Sequence, residues 1–160
     1  MRSTKPKKII TTKTEYIPIG SLKSTNCSLN IIEGGVRCYD IGVSQYIDFS
    51  VIIDKYYQLN TPINISLITE MKIDDSSQLV KFKLELKDIY SKSKSVIIEK
   101  ECIMNKELNI TECEIHSFKI KKLEKNPIFI GRLTRTIAKN GHHNNIWIHG
   151  IKLQYNVSNC

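Results

Sequence analysis

Pro127-Ile-Phe-Ile-Gly-Arg-Leu-Thr-Arg135 and Ile146-Trp-Ile-His-Gly-Ile-Lys-Leu-Gln-Tyr155 flank the polar stretch Ala138-Lys-Asn-Gly-His-His-Asn-Asn145. β-Branched and aromatic side chains pack well on a pleated backbone, so both outer runs favour strands. Asn140-Gly141 between them tolerates positive φ, which suits a β-hairpin or a two-strand return. This segment assigns the chain to the all-β class and shows how its core closes.

Working outward, Val80, Phe82, Leu84 and Leu86 alternate with Lys81, Lys83, Glu85 and Lys87. A period of two describes a strand with one face on the core and one in water. Ile63, Ile65, Leu67, Thr69 and Met71 alternate with Asn64, Ser66 and Glu70, interrupted only by Ile68. Tyr46–Ile52 reads as an inner strand, and Tyr16–Ile19 as a short one whose Pro18 suits an edge. Glu33-Gly34-Gly35 and Asp74–Ser77 read as turns. Val96–Met104 and Leu108–Leu123 are two further runs. The second has no capping box ahead of an i, i+3, i+4 stripe, which favours strand over helix. With about eight to ten strands, the expected fold is an antiparallel β-sandwich of jelly-roll type over residues 16–160.

Apolar residues make up 41% of the 160 and charged residues 25%, ordinary values for one globular domain. The net charge of +8 is unevenly placed. Arg2, Lys5, Lys7, Lys8 and Lys13 stand against Glu15 alone in residues 1–15, which are expected to form a flexible basic arm. No signal-like apolar region follows the start, and no apolar stretch approaches the ~20 residues needed to span a bilayer. Cys27, Cys38, Cys102, Cys113 and Cys160 are widely spaced and include no CxxC, so free, mostly buried thiols are expected. The four Asn-x-Ser/Thr sequons, at Asn26, Asn64, Asn109 and Asn156, are read as chance.

Catalytic and metal chemistry find little to rest on. There is no GxSxG elbow, and Gly34-Gly35 serves a turn instead of a phosphate-cradling helix start. Cys113 and His116 are three apart, which on a strand points them to opposite faces, and His142-His143 lies in an Asn-rich turn. No catalytic, metal or cofactor residue is therefore assigned. Tyr56, Tyr57 and Trp147 are candidate platforms for a sugar ring. Trp147 shares its parity with His149, Ile151, Leu153 and Tyr155, which predicts that it is buried.

Ile17-Pro-Ile-Gly-Ser-Leu22, Tyr46-Ile-Asp-Phe-Ser50, Phe129 to Arg135 and Ile146 to Tyr155, in that order, resemble small jelly-roll structural proteins of tailed bacteriophage virions. Residues 91–113 match nothing in that pattern. The resemblance implies a non-enzymatic capsid decoration, minor capsid, or neck or tail accessory component. It would be made in the host cytoplasm, bind other virion proteins and form a homo-oligomer such as a trimer, with the arm (Arg2, Lys5, Lys7, Lys8, Lys13) as its assembly contact. A glycan-binding module and a nucleic-acid binder using the basic arm stand as the alternatives.

Overall fold

A computed structural model describes residues 6–31, 37–71, 79–90, 95–104, 110–122, 126–141 and 144–159. Among the described residues ten strands run as β1 (Ile9–Pro18), β2 (Ser28–Ile31), β3 (Arg37–Ile41), β4 (Tyr46–Ile52), β5 (Ile63–Met71), β6 (Leu79–Asp88), β7 (Val96–Ile103), β8 (Ile110–Phe118), β9 (Ile128–Thr136) and β10 (Ile146–Asn159). A 3-10 turn covers Ile19–Ser21. The strands form two antiparallel sheets packed face to face, the jelly-roll-like sandwich expected. Sheet A has the order β2-β3-β10-β5-β8, with β1 also paired to β10, and sheet B has the order β4-β9-β6-β7.

The core is the set of inward residues that alternation selects. Val80, Phe82, Leu84 and Leu86 from β6 meet Ile63, Ile65 and Leu67 from β5 and Ile151, Leu153 and Tyr155 from β10, all buried. Phe49 needs Gly131 opposite it, because a Cβ there would lie 2.2 Å from the ring. Asn140 takes φ +56°, the conformation expected of the Asn-Gly turn.

That turn does not make a hairpin, however. β9 belongs to sheet B and β10 to sheet A, so the turn carries the chain across the sandwich. Arg135 fixes the crossing: it is fully buried, and its Nη1 donates to the carbonyls of Ile41 (3.0 Å) and Asn144 (2.6 Å). Burial lowers its pKa to about 10, with Asp40 opposing the shift, and the guanidinium stays charged at neutral pH.

Two further expectations need correction. Residues 9–15 are not a flexible arm: β1 pairs with β10 from Ile9↔Asn159 to Pro18↔Gly150. Lys13 reaches Glu15 (2.8 Å) and Asp54 (2.7 Å), and the Tyr155 hydroxyl donates to Glu15 (3.0 Å). Second, Cys102 and Cys113 are not free thiols. They form a disulfide, Cα–Cα 6.0 Å, that joins β7 to β8 where each sheet ends. Arg2, Lys5, Glu33-Gly34-Gly35, Asp74-Asp75, Asn109, His142-His143 and Cys160 lie outside the described residues.

Candidate functional site

The outer face of sheet A carries the candidate site, and a bulge in β10 arranges it. Pairing between β10 and β5 slips between Ile148 and Gly150. Gly150 belongs there because a Cβ would meet the Ile17 carbonyl oxygen at 2.9 Å. The slip moves the strand's parity by one. Ile146 and Ile148 point inward before it, and Ile151, Leu153 and Tyr155 after it. Trp147 therefore sits on the outer face, half-buried, opposite Asp40 of β3 and Glu70 of β5, instead of in the core. Two residues on, the His149 ring donates from Nε2 to Glu70 Oε2 at 2.8 Å.

Beyond the bulge the outward row of β10 is Lys152, Gln154, Asn156 and Ser158. β1 places Tyr16, Thr14, Thr12 and Ile10 opposite these four. On the other side β5 supplies Ser66 opposite Lys152 and Asn64 opposite Gln154, and β8 adds Ser117 next to Asn64. Past β5, the segment 56–58 takes over the pairing. Gln58 N–H donates to the Asn156 carbonyl and Ser158 N–H to that of Tyr56, each 2.8 Å. Thr12, Pro62, Asn64, Gln154, Tyr155 and Asn156 line an open depression of about 280 Å³.

The depression is floored by amides and hydroxyls. Thr12 donates to Asn156 Oδ1 (3.2 Å), Ser117 to Asn64 Oδ1 (2.7 Å) and Gln154 Nε2 to Thr14 (3.5 Å). Each amide engages through one atom, so the NH₂ groups of Asn64 and Asn156 and the carbonyl of Gln154 have no protein partner among the described residues. Lys152 does not charge the floor, because Glu112 holds it at 2.6 Å and raises its pKa. Tyr16, 64% exposed, stands at one end, and Tyr56, 47% exposed, at the other. Six residues of β10 separate their levels, about 20 Å at strand rise. Planar amides with spare donors and acceptors between two aromatic rings suit a chain of hydroxyl-bearing rings.

The residues singled out from sequence have different fates. Tyr57 is buried, edge-on to Tyr155 at 6.1 Å, and its hydroxyl binds the Thr61 carbonyl; it is a core clamp and no platform. Tyr56 is at the mouth of the depression with Lys55 Nζ 4.9 Å from its ring centre. Trp147 is on the same face but on the far side of the bulge. Lys13 is committed to Glu15 and Asp54, while Lys7 and Lys8 lead into β1. Cys113 is taken by its disulfide, and His116 instead stacks on Phe118 at 5.5 Å, where burial lowers its pKa. Thr12, Tyr16 and Gln154 carry no candidate role in the sequence, and Asn64 and Asn156 stand there only as chance sequons. Their signal was present: Asn is disfavoured in strands, yet Asn64 and Asn156 occupy outward strand positions.

No family model matches the chain, and no curated protein matches it. Solved structures do. The CBM36-1 domain of a multidomain xylanase from the hindgut metagenome of Trinervitermes trinervoides superposes with a TM-score of 0.50 at 10% identity, over 88% of this chain and 96% of that one. The CBM22-2 xylan-binding domain from Paenibacillus barcinonensis gives 0.49 at 11% identity (86% and 92% of the two chains). The xylan-binding module CBM15 gives 0.48 at 10% identity (91% and 97%). At these identities the likeness is one of fold. The CBM36-1 match overturns the bacteriophage reading: the sandwich aligns with that domain of a xylanase, and the capsid-decoration, minor-capsid and neck or tail roles are withdrawn.

Proposed function

We propose that this chain is a carbohydrate-binding module that holds a glycan along β10 on the outer face of sheet A. The observation that carries this is the amide- and hydroxyl-lined depression between Tyr16 and Tyr56, whose spare hydrogen-bonding groups match the hydroxyls of sugar rings. The fold shared with the CBM36-1 domain of a xylanase supports the same reading. So does the Cys102–Cys113 disulfide, which fits a place of work outside a reducing compartment, where polysaccharides are met. In this reading Gln154, Asn156 and Asn64 hold ring hydroxyls, Thr12 and Thr14 orient the amides, and Tyr16 and Tyr56 cover sugar faces.

Affinity electrophoresis of the full chain through gels carrying individual polysaccharides tests the proposal. Retardation by at least one glycan, lost in Gln154→Ala/Asn156→Ala with folding intact, is the expected result. Equal mobility of the wild-type chain in all glycan gels and in the blank gel rejects it.

A further inference from the structure

The chain is basic, yet the cations on and beside the floor of the depression are already neutralised. Lys152 is held by Glu112, and Lys13 by Glu15 and Asp54. At the Asn156 end the pattern changes. Lys7 and Lys8 run into β1, whose Ile10 sits opposite Ser158. Lys55 adjoins Tyr56, which flanks Ser158 from the other side. Lys119 follows Phe118, the β8 partner of Ile63 next to Pro62. All four are exposed, and among the described residues none has an ion pair. Asp54, next to Lys55 in sequence, has its carboxylate matched by Lys13 and held below the usual range chiefly by it, with a smaller contribution from Lys55. One mouth of the groove therefore carries positive charge on three sides, while Glu114, an exposed acid on the same face opposite Ser66, lies toward the other end, level with Lys152. The β1 and 56–58 backbones that present the positive charge are about 10 Å apart, two strand spacings.

We infer that the glycan is anionic: a polysaccharide whose sugar hydroxyls lie on the Gln154–Asn156 floor while carboxylate or sulfate groups sit at the Lys8/Lys55 mouth over Tyr56. This rests on the proposed glycan-binding role and adds the class of glycan. Amides hold hydroxyls without regard to charge, whereas exposed, unpaired lysines raise the local concentration of an anion and accept it without breaking an existing pair. Lys55 Nζ lies over the Tyr56 ring, 4.9 Å from its centre, so an anionic group drawn to Lys55 sits next to that ring.

The test compares binding of the full chain to polygalacturonate, fully methyl-esterified polygalacturonate, dextran sulfate, unmodified dextran, xylan and a single-stranded DNA oligonucleotide, at low and high salt. Lys8→Gln/Lys55→Gln is run beside the wild type, and Gln154→Ala/Asn156→Ala controls for the floor. At least one anionic glycan should bind about tenfold more tightly than its neutral counterpart, with that margin removed by the lysine variant or by salt. Preference for polygalacturonate identifies carboxylate, and preference for dextran sulfate identifies sulfate. A neutral glycan bound as tightly as its charged counterpart, with the lysine variant unchanged, overturns the inference but leaves the glycan-binding role standing. DNA bound while every glycan fails overturns both.

Discussion

The outer faces of the two sheets obey the same alternation and differ in what they expose. Sheet B presents a lattice of paired charges, Lys81–Glu99 (3.1 Å) and Arg132–Asp48 (2.7 Å) across strands and Lys83–Glu85 (3.9 Å) along β6, with the Arg132 guanidinium 3.9 Å from the Tyr46 ring centre. Exposed Ile52, Ile130 and Ile97 lie among them. Sheet A, beyond the β10 bulge, presents Thr12, Thr14, Asn64, Gln154 and Asn156 with their hydrogen-bonding capacity partly unused. A lattice of paired charges satisfies itself in water, whereas a floor of half-engaged amides is completed by a polyhydroxylated ligand. The lesson is that polarity alone does not mark a site; unused directional capacity beside exposed rings does.

The largest expected effect breaks the coupling between the sheets. Reducing Cys102–Cys113 removes a link closing an 11-residue separation, which costs about 3 kcal/mol and lowers Tm by roughly 10 °C. Thermal unfolding with and without reductant reads this directly, and Cys102→Ala/Cys113→Ala should match the reduced protein. Next, Gln154→Ala/Asn156→Ala should weaken glycan binding by about 2 kcal/mol, some thirtyfold in Kd, while stability shifts by less than about 0.5 kcal/mol. Isothermal titration beside a melting curve separates the two. Tyr16→Ala should follow with about a tenfold loss of affinity through lost stacking. Arg132→Ala and Lys83→Ala on sheet B should leave Kd unchanged, and a loss there equal to that of the sheet A variants would erase the contrast between the faces.

A smaller effect concerns the edge of the groove. Lys13, helped by the Tyr56 backbone N–H, keeps the Asp54 pKa below its unfolded value. A lowered carboxylate pKa contributes stability that is fully present above the unfolded pKa, about 3.9, and disappears as pH falls through the folded one. Amide exchange in β1 should therefore accelerate relative to β5 as pH drops below about 4, after correction for intrinsic rates. Asp54→Asn should remove that dependence, and identical profiles in wild type and variant would show that the cluster does not hold β1.

Much of the sandwich was legible because its inward rows are written in the sequence. Val80–Leu86 and Ile63–Met71 alternate as they pack, and Asn140 turns as an Asn-Gly dipeptide should. The site was hidden by a one-residue event. The bulge before Gly150 reverses the parity of β10, so a reading carried through from Tyr155 puts Trp147 in the core and misses its half-buried place on the same face as Gln154 and Asn156. β1 was hidden for another reason. Ile9–Pro18 buries little, and it is held by its ladder to β10 and by the Lys13–Glu15–Asp54 cluster, neither of which leaves a local periodicity. The disulfide joins strands of different sheets, and cysteine spacing does not encode that proximity.

The most direct measurement is an amide and side-chain NMR titration of the isotopically labelled chain with a glycan that retards it in affinity gels. The expected result is saturable shifts at Thr12, Thr14, Tyr16, Asn64, Gln154 and Asn156, including the side-chain NH₂ resonances of the three amides, with Asp48, Lys83 and Arg132 silent. Shifts confined to the β4, β6 and β9 face, or none along β10 at saturation, would contradict a glycan site on sheet A.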